Sequence, residues 1–251
     1  MITIKTSQEI ELMRFSGSVT AKVLNTLAKE ARPGVSTLAL DKIAEEIIRS
    51  YDCVPAFLNY NGFPASICAS INEEVIHGIP LKERVLAEGD ILSVDTGAIY
   101  KGYYSDAART FPIGSVSETA QRLIDVTRES LEQAMPLAVE GNRLGDVSAA
   151  IQEYVEQNGF QVVRDYVGHG IGTQMHEGPS IPNYGRRGRG IQLKENMTLA
   201  VEPMVNAGTY QVRALADGWT VVTADRSLSA HYENTLWVRK GTCESLTTES
   251  V

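Results

Sequence analysis

The 251-residue sequence predicts an α+β fold: a curved antiparallel sheet with helices on its outer face, built as two pseudo-symmetric halves. Two observations carry this. The order of elements is helix, helix, strands, and then the same again, the pattern of an α+β chain. The segment LAEGDILSVD (86–95) also recurs in frame 107 residues later as LKENMTLAVE (193–202), matching at Leu86/Leu193, Glu88/Glu195, Leu92/Leu199 and Val94/Val201. Each copy ends in a carboxylate, Asp95 and Glu202. The same offset aligns ArgProGly (32–34) and the helical stretch after it with ValGluGly (139–141) and the stretch after that. The chain therefore reads as one domain with an internal repeat, its halves roughly 1–112 and 113–251.

Thr6 and Glu9 form a capping box ahead of an apolar-periodic helix running to about Lys29, and ArgProGly at 32–34 ends it. A second helix is expected over Thr37 to Tyr51, with Leu40, Ile43, Ile47 and Ile48 on one side. Residues 53–70 are rich in Asn, Gly and Pro and read as loop with short strand, followed by a strand over 69–71 and a turn at HisGlyIlePro (77–80). Ile91 to Tyr100 and Tyr103 to Phe111 read as a hairpin around Lys101-Gly102. Helices are expected over Ser117 to Met135, stopping at Pro136, and over Leu144 to Gln157, stopping at Asn158-Gly159. Phe160 to Val167, Thr198 to Val205, Trp219 to Thr223 and His231 to Val238 read as strands, with GlyHisGlyIleGly (168–172) and residues 182–190 as loops.

Composition narrows the function. The net charge of −8 disfavours specific nucleic-acid binding and anionic-membrane contact, both of which need a basic face. Three cysteines, Cys53, Cys68 and Cys243, without a CxxC pair suit reduced thiols in a cytoplasmic setting. No apolar leader-like run opens the chain, and no stretch of about 18 apolar residues predicts a transmembrane helix. GlyHisGlyIleGly lacks the spacing of a phosphate-cradling loop. Cys68, among small and apolar neighbours, reads as packing rather than as a nucleophile.

The carboxylates carry the chemistry. With a turn centred on Tyr100-Lys101, Asp95 faces Asp106 across the hairpin, where like charges roughly 5 Å apart repel. Either a divalent cation reverses that sign, or one Asp is exposed and the other is bonded to backbone. Glu202 lies in the apolar run ThrLeuAlaValGluPro, where an unpaired charge is rarely tolerated. Glu233 follows in strand order, off the 107-residue offset. His169, flanked by glycines, is a candidate ligand. Two Asp, two Glu and one His form a hard, mostly oxygen set that suits Mn, Fe, Co or Zn. His176 and Glu177 lie in a loop able to return to the same mouth. His77 has no pair partner in sequence. His231 reads as a group behind the ligands or as structural.

HisGlyIlePro (77–80), SerValAspThrGly (93–97), GlyTyrTyrSerAspAlaAlaArgThrPhe (102–111), GlyHisGlyIleGly with HisGlu (168–177), ValGluPro (201–203) and TyrGluAsnThr (232–235) together resemble type I methionine aminopeptidases of the short bacterial form, over essentially the whole chain. The resemblance implies the pita-bread fold and removal of the N-terminal methionine from nascent proteins and peptides, favouring a small second residue. It implies two divalent metal ions (Co, Mn, Fe, Zn or Ni) held by Asp95, Asp106, His169, Glu202 and Glu233, with Asp106 and Glu233 bridging. Glu202 would also shuttle the proton of the attacking water. His77 would contact the substrate amide, and His176 the scissile carbonyl. Tyr60, Phe63, Cys68 and Trp219 match the wall of the methionine pocket, where aromatic rings and sulfur suit a thioether. The resemblance implies action near the ribosome exit, while a cytoplasmic location is expected from the sparse cysteines and a monomer by default.

Three residues depart from the family pattern: Phe57 where some relatives carry Cys, Met175 where an aromatic or another apolar residue is common, and Asn234 where His is usual. Asn72 and Ser229 fall at positions of a monovalent-cation site in some relatives. Two other readings stand beside this one: a proline-specific peptidase of the same fold acting on X-Pro peptides, and a non-catalytic pita-bread binding protein.

Overall fold

The computed structural model describes residues 2–248. Helix α1 (Ser7–Glu30) opens on the expected capping box: the Glu9 N–H donates to Thr6 Oγ1 at 3.3 Å, and the Thr6 N–H donates to Glu9 Oε2 at 2.6 Å. Helix α2 (Thr37–Ser50) is capped by Ser36, whose hydroxyl accepts from the Ala39 N–H. Short strands β1 (Val54–Pro55), β2 (Ile67–Ile71) and β3 (Glu74–Ile76) lead to the hairpin β4 (Ile91–Tyr100) and β5 (Tyr103–Pro112). Val19, Val23 and Leu27 of α1 and Leu40, Ala44 and Ile48 of α2 bury their apolar faces against Leu92, Val94 and Ala107 of that hairpin. Burial of this kind supplies the main driving force of folding.

The hairpin turns at Lys101-Gly102, as its strand bounds predict, and not at the Tyr100-Lys101 centre that sets Asp95 opposite Asp106. Tyr100 pairs with Tyr103, so the turn is Lys101-Gly102, both at positive φ (48° and 84°), as a two-residue hairpin loop demands. Asp106 therefore faces Gly97, and Asp95 faces Ala108. The two aspartates are diagonal neighbours on one face rather than directly opposed. Gly97 is required there, because a Cβ would lie 2.4 Å from the Ser105 carbonyl oxygen.

The second half repeats the first. Helix α3 (Glu118–Ala134) and helix α4 (Leu144–Gln157) follow, and the bounds of α4 are those of α2 moved by 107 residues. Then come β6 (Gln161–Val162), β7 (Gly168–Gly170), β8 (Glu177–Ile181), β9 (Thr198–Val201), β10 (Met204–Asn206), β11 (Val212–Ala214), β12 (Val221–Thr223), β13 (Ser229–His231), β14 (Asn234–Val238) and β15 (Cys243–Ser245). Leu123 and Leu131 of α3 and Val147 and Ile151 of α4 pack with Leu199, Val201 and Leu236 as a second core. All pairings between these named strands are antiparallel.

Several strand expectations change. The single strand expected over Thr198 to Val205 is two, β9 and β10, interrupted at Glu202-Pro203, since Pro203 has no N–H to give a ladder. His231 to Val238 is likewise split: His231 ends β13, and Tyr232-Glu233 precede β14. Phe160 to Val167 pairs only at Gln161–Val162, and Trp219 to Thr223 only from Val221. The expected loop at 168–172 contains strand β7, squeezed between β8 and β9. Its glycines permit this, because a Cβ on Gly168 would meet the Ala200 oxygen at 2.3 Å and one on Gly170 the Gly178 oxygen at 2.1 Å.

The halves are stitched along β5. The Glu233 N–H donates to Ala108 O at 2.9 Å, the Asp106 N–H to Thr235 Oγ1 at 3.0 Å, and the His231 N–H to Thr110 Oγ1 at 2.9 Å. This seam sets Asp106 of the first half beside Glu233 of the second. Among the described residues, no helix is long and apolar enough to cross a membrane.

Candidate metal centre and substrate pocket

The seam gathers all five sequence-predicted metal donors on one cavity of about 210 Å³. Asp95 and Asp106 come from the hairpin, His169 from β7, Glu202 from the break after β9 and Glu233 from the residue before β14. Donor atoms of Asp106, His169 and Glu233 all lie within 4.8 Å of one another. His169 Nε2 sits 3.8 Å from Asp106 Oδ2 and 3.6 Å from Glu202 Oε1. These separations are too long for hydrogen bonds. They match the roughly 3–4 Å between atoms that each lie about 2.1 Å from one ion. His169 Nδ1 is 2.9 Å from the Gly170 carbonyl oxygen, so Nδ1 carries the proton and Nε2 presents its lone pair to the carboxylates.

The electrostatics agree. Asp95 Oδ1, Asp106 Oδ1 and Glu233 Oε1 are buried with no hydrogen-bond partner. Burial raises the Asp95 carboxyl from its ordinary 3.8 to about 7, and holds Asp106, Glu202 and Glu233 well above the usual carboxylate range, with mutual repulsion adding to it. Burial also pushes His169 down to about 4. Four acids, three of them with an unpartnered buried oxygen, facing a neutral imidazole form a site whose charge balance calls for a cation. The residues present fit a divalent metal.

The other histidines separate by position. His77 is a non-glycine residue at φ 61°, a conformation that side chains rarely adopt, and it aims its ring edge-on toward Trp219 and Tyr166. Burial first, and His176 second, lower it to about 4. His176 lies with its ring centroid 4.3 Å from that of His169, and its Nδ1 is 2.7 Å from the Tyr60 hydroxyl. His231 is fully enclosed; its Nε2 is 3.9 Å from both Glu202 Oε2 and Glu233 Oε2, and neither ring nitrogen is hydrogen-bonded.

Beside the donors, the cavity is lined by Tyr60, Phe63, Cys68 and Trp219, as the sequence suggests, and also by Phe57, Asn61 and Met175. Phe63 and Trp219 meet edge to face at 5.1 Å. Burial, then the charges of Asp95 and Asp106, hold the Cys68 thiol well above its ordinary range, in keeping with a packing role. The Asn234 Oδ1 accepts from Arg109 Nη2 at 2.8 Å and from the Thr247 hydroxyl at 2.9 Å. Asn72 and Ser229 meet through one backbone hydrogen bond, Ser229 N–H to Asn72 O.

Sequence reasoning missed Arg109. Its guanidinium donates to the Glu233 and Ala108 carbonyl oxygens and lies 4.1 Å from the Tyr232 ring, which anchors the backbone that carries Glu233. An Arg three residues after an expected ligand was the available signal. The Tyr60 partnership with His176 was also missed, because nothing in the spacing of residues so far apart in the chain shows it.

Residues 11–240 match metallopeptidase family M24. The methionine aminopeptidase of Clostridium acetobutylicum is 59% identical over 247 residues, 98% of this chain and 99% of that protein. The crystal structure of methionine aminopeptidase from Thermotoga maritima superposes with a TM-score of 0.98 at 48% identity, covering 99% of this chain and 100% of that one. Prolidase from Pyrococcus furiosus, at 21% identity and a TM-score of 0.77, covers 99% of this chain but 66% of its own and shares the fold alone. The fold is thus the pita-bread fold, and the expected two-half architecture holds. With the family matched over nearly its whole length, this chain belongs to metallopeptidase family M24.

Proposed function

We propose that the chain is a metal-dependent aminopeptidase that removes the N-terminal methionine from nascent polypeptides and peptides with a small second residue. The observation that carries this is the pairing of five convergent donors with an aromatic, sulfur-containing pocket at the same cavity. Asp95, Asp106, His169, Glu202 and Glu233 would hold two divalent ions, drawn from Co, Mn, Fe, Zn or Ni. When bound, the ions supply Lewis acidity toward the scissile carbonyl and lower the pKa of a water.

The chain's own residues do the rest. Tyr60, Phe63, Cys68 and Trp219 take the thioether side chain and exclude water from it. Glu202, at the break after β9, accepts the proton of the attacking water and passes it to the leaving amine. His77 holds the substrate amide. His176, steadied through Nδ1 by Tyr60, leaves Nε2 for the carbonyl oxygen, where charge grows only in the transition state. Residues 1–112 and 113–251 act as one catalytic unit, supported by the seam along β5. We place the protein in the cytoplasm as a monomer, working on chains as they leave the ribosome.

The decisive experiment is release of free methionine from a Met-Gly-Met-Met peptide by metal-stripped protein with Mn or Co added back, with an X-Pro peptide run in parallel. Metal-dependent methionine release without X-Pro cleavage is the expected result. X-Pro cleavage alone transfers the chain to the proline-specific branch. Metal binding without either activity leaves the binding-protein reading.

A further inference from the structure

The segment ahead of α1 contains a charged residue that the site chemistry does not use. Lys5 is 5% exposed, and its Nζ lies 2.6 Å from Glu177 Oε2. The Glu177 side chain is 6% exposed. The Thr3 hydroxyl bonds to the same carboxylate oxygen and to Lys5 Nζ. Burying two charges costs more than a surface pair returns, so such a pair calls for a role besides stability. Glu177 directly follows His176.

The geometry shows what the pair holds. Glu177 Oε1 accepts the backbone N–H groups of Thr173 at 2.9 Å and Gln174 at 3.3 Å, so one carboxylate closes the turn that carries His176. Its other oxygen is fixed by Lys5 and Thr3. The Lys5 N–H donates to Asn196 O at 2.9 Å, and Ile2 bridges to Gly178, which ties the segment down on both sides of the clip. At the far end of the turn, the Tyr104 N–H donates to Gly172 O at 2.8 Å. Gly172 leaves space for the pair: a Cβ there would meet Lys5 Cε at 2.5 Å and Glu177 Oε1 at 2.6 Å. Among the described residues the His176 ring makes one side-chain hydrogen bond, to Tyr60, and packs on the His169 ring, while this turn fixes the backbone from which it projects.

We infer that Lys5 is a positioning residue for the reaction, acting through the Glu177 carboxylate to hold His176 at the scissile carbonyl. This rests on the role given to His176 under the proposed function. Among the described residues Lys5 makes no hydrogen bond or ion pair to the five donors, so its removal is expected to act on kcat rather than on metal content.

The test is a double-mutant cycle on the full chain with the Met-Gly-Met-Met peptide, using K5M, H176A and K5M/H176A, with K5M/E177Q as the variant that leaves no unpaired buried charge. A displacement of about 1 Å at a catalytic group costs on the order of 100-fold. K5M and K5M/E177Q are therefore expected to lower kcat by about 10- to 100-fold with KM and metal content little changed. In the H176A background K5M should change the rate by less than about 2-fold, since residues acting as a unit are non-additive. The His176 imidazole 15N resonances of the metal-free protein should shift in K5M and not in K29M, a distant surface control. A folded K5M/E177Q at wild-type kcat overturns the inference, as does an equal loss with and without His176. If wild-type protein releases no methionine, the proposed function fails by itself, and the His176 resonances alone decide whether Lys5 positions the ring.

Discussion

At the scale of the residue, the site is governed by where polar atoms lack partners. Glu202 sits where a repeat position, an apolar run and a strand break coincide. Glu202→Ala is expected to lower turnover by about 100- to 10,000-fold, the range of general acid–base catalysis, in a steady-state assay at saturating metal. Near wild-type turnover in that variant removes Glu202 from the mechanism. His77→Ala and His176→Ala should retain full metal content by elemental analysis while losing rate, because neither histidine is among the converging donors. Metal loss in either means the donor set is misassigned. Gly97 is a test of close packing. Its alanine would press on the Ser105 oxygen and on Ala56, and a loss of about 1–3 kcal/mol is expected in urea unfolding, the usual cost of overpacking.

At the scale of the element, breaks and seams matter more than the strands themselves. Glu202 and Glu233 both occupy interruptions, where the backbone leaves the ladder and the side chain can turn inward. The seam between β5 and the segment before β14 depends on threonine hydroxyls that bond both ways. Thr235 Oγ1 accepts from the Asp106 N–H and donates to the Asp106 carbonyl. Thr235→Val keeps the shape but orphans a buried N–H at a donor residue. The expected cost is about 1–3 kcal/mol in denaturant melts, together with weaker metal binding by calorimetry. Unchanged metal affinity in that variant would show that the seam does not fix Asp106.

At the scale of the whole molecule, the clustered acids link stability to pH and metal. Asp95 goes from 3.8 unfolded to about 7 folded, and the other three acids are also raised well above the usual carboxylate range, so the metal-free fold binds more protons than the unfolded chain. Stability from these groups falls as pH rises from about 4. His77, His169 and His231 are lowered from 6.5 to about 4, 4 and 3, so their contribution is lost as pH falls from about 6.5. The two trends oppose each other between about pH 4 and 6.5, and above that only the acids remain. Metal-free protein is therefore expected to melt at lower temperature as pH rises from about 6.5 to 8. Excess Mn or Co should reverse that slope, since the ion binds deprotonated ligands. A metal-free melting temperature that climbs across this window contradicts the burial of the acids.

Much of this was legible in the sequence, because periodicity, caps and the 107-residue repeat are local or self-similar signals. The bounds of α2 and α4 and the carboxylates of the two apolar strands follow from them. The resemblance added the pocket wall and the histidine roles. The sequence by itself allowed two turn centres one position apart, Lys101-Gly102 and Tyr100-Lys101, and only the first is the real one, so Asp95 and Asp106 are not directly opposed. It also drew Thr198 to Val205 as one strand and left β7 as a loop. Those depend on which backbone groups find partners across the sheet and on where glycine allows two chains to touch, and neither is a property of a local segment. Tertiary structure alone decided that Arg109 anchors Glu233, that Tyr60 meets His176 and that Lys5 reaches Glu177. Contacts between residues far apart in the chain are set by packing the two halves together, not by spacing along it.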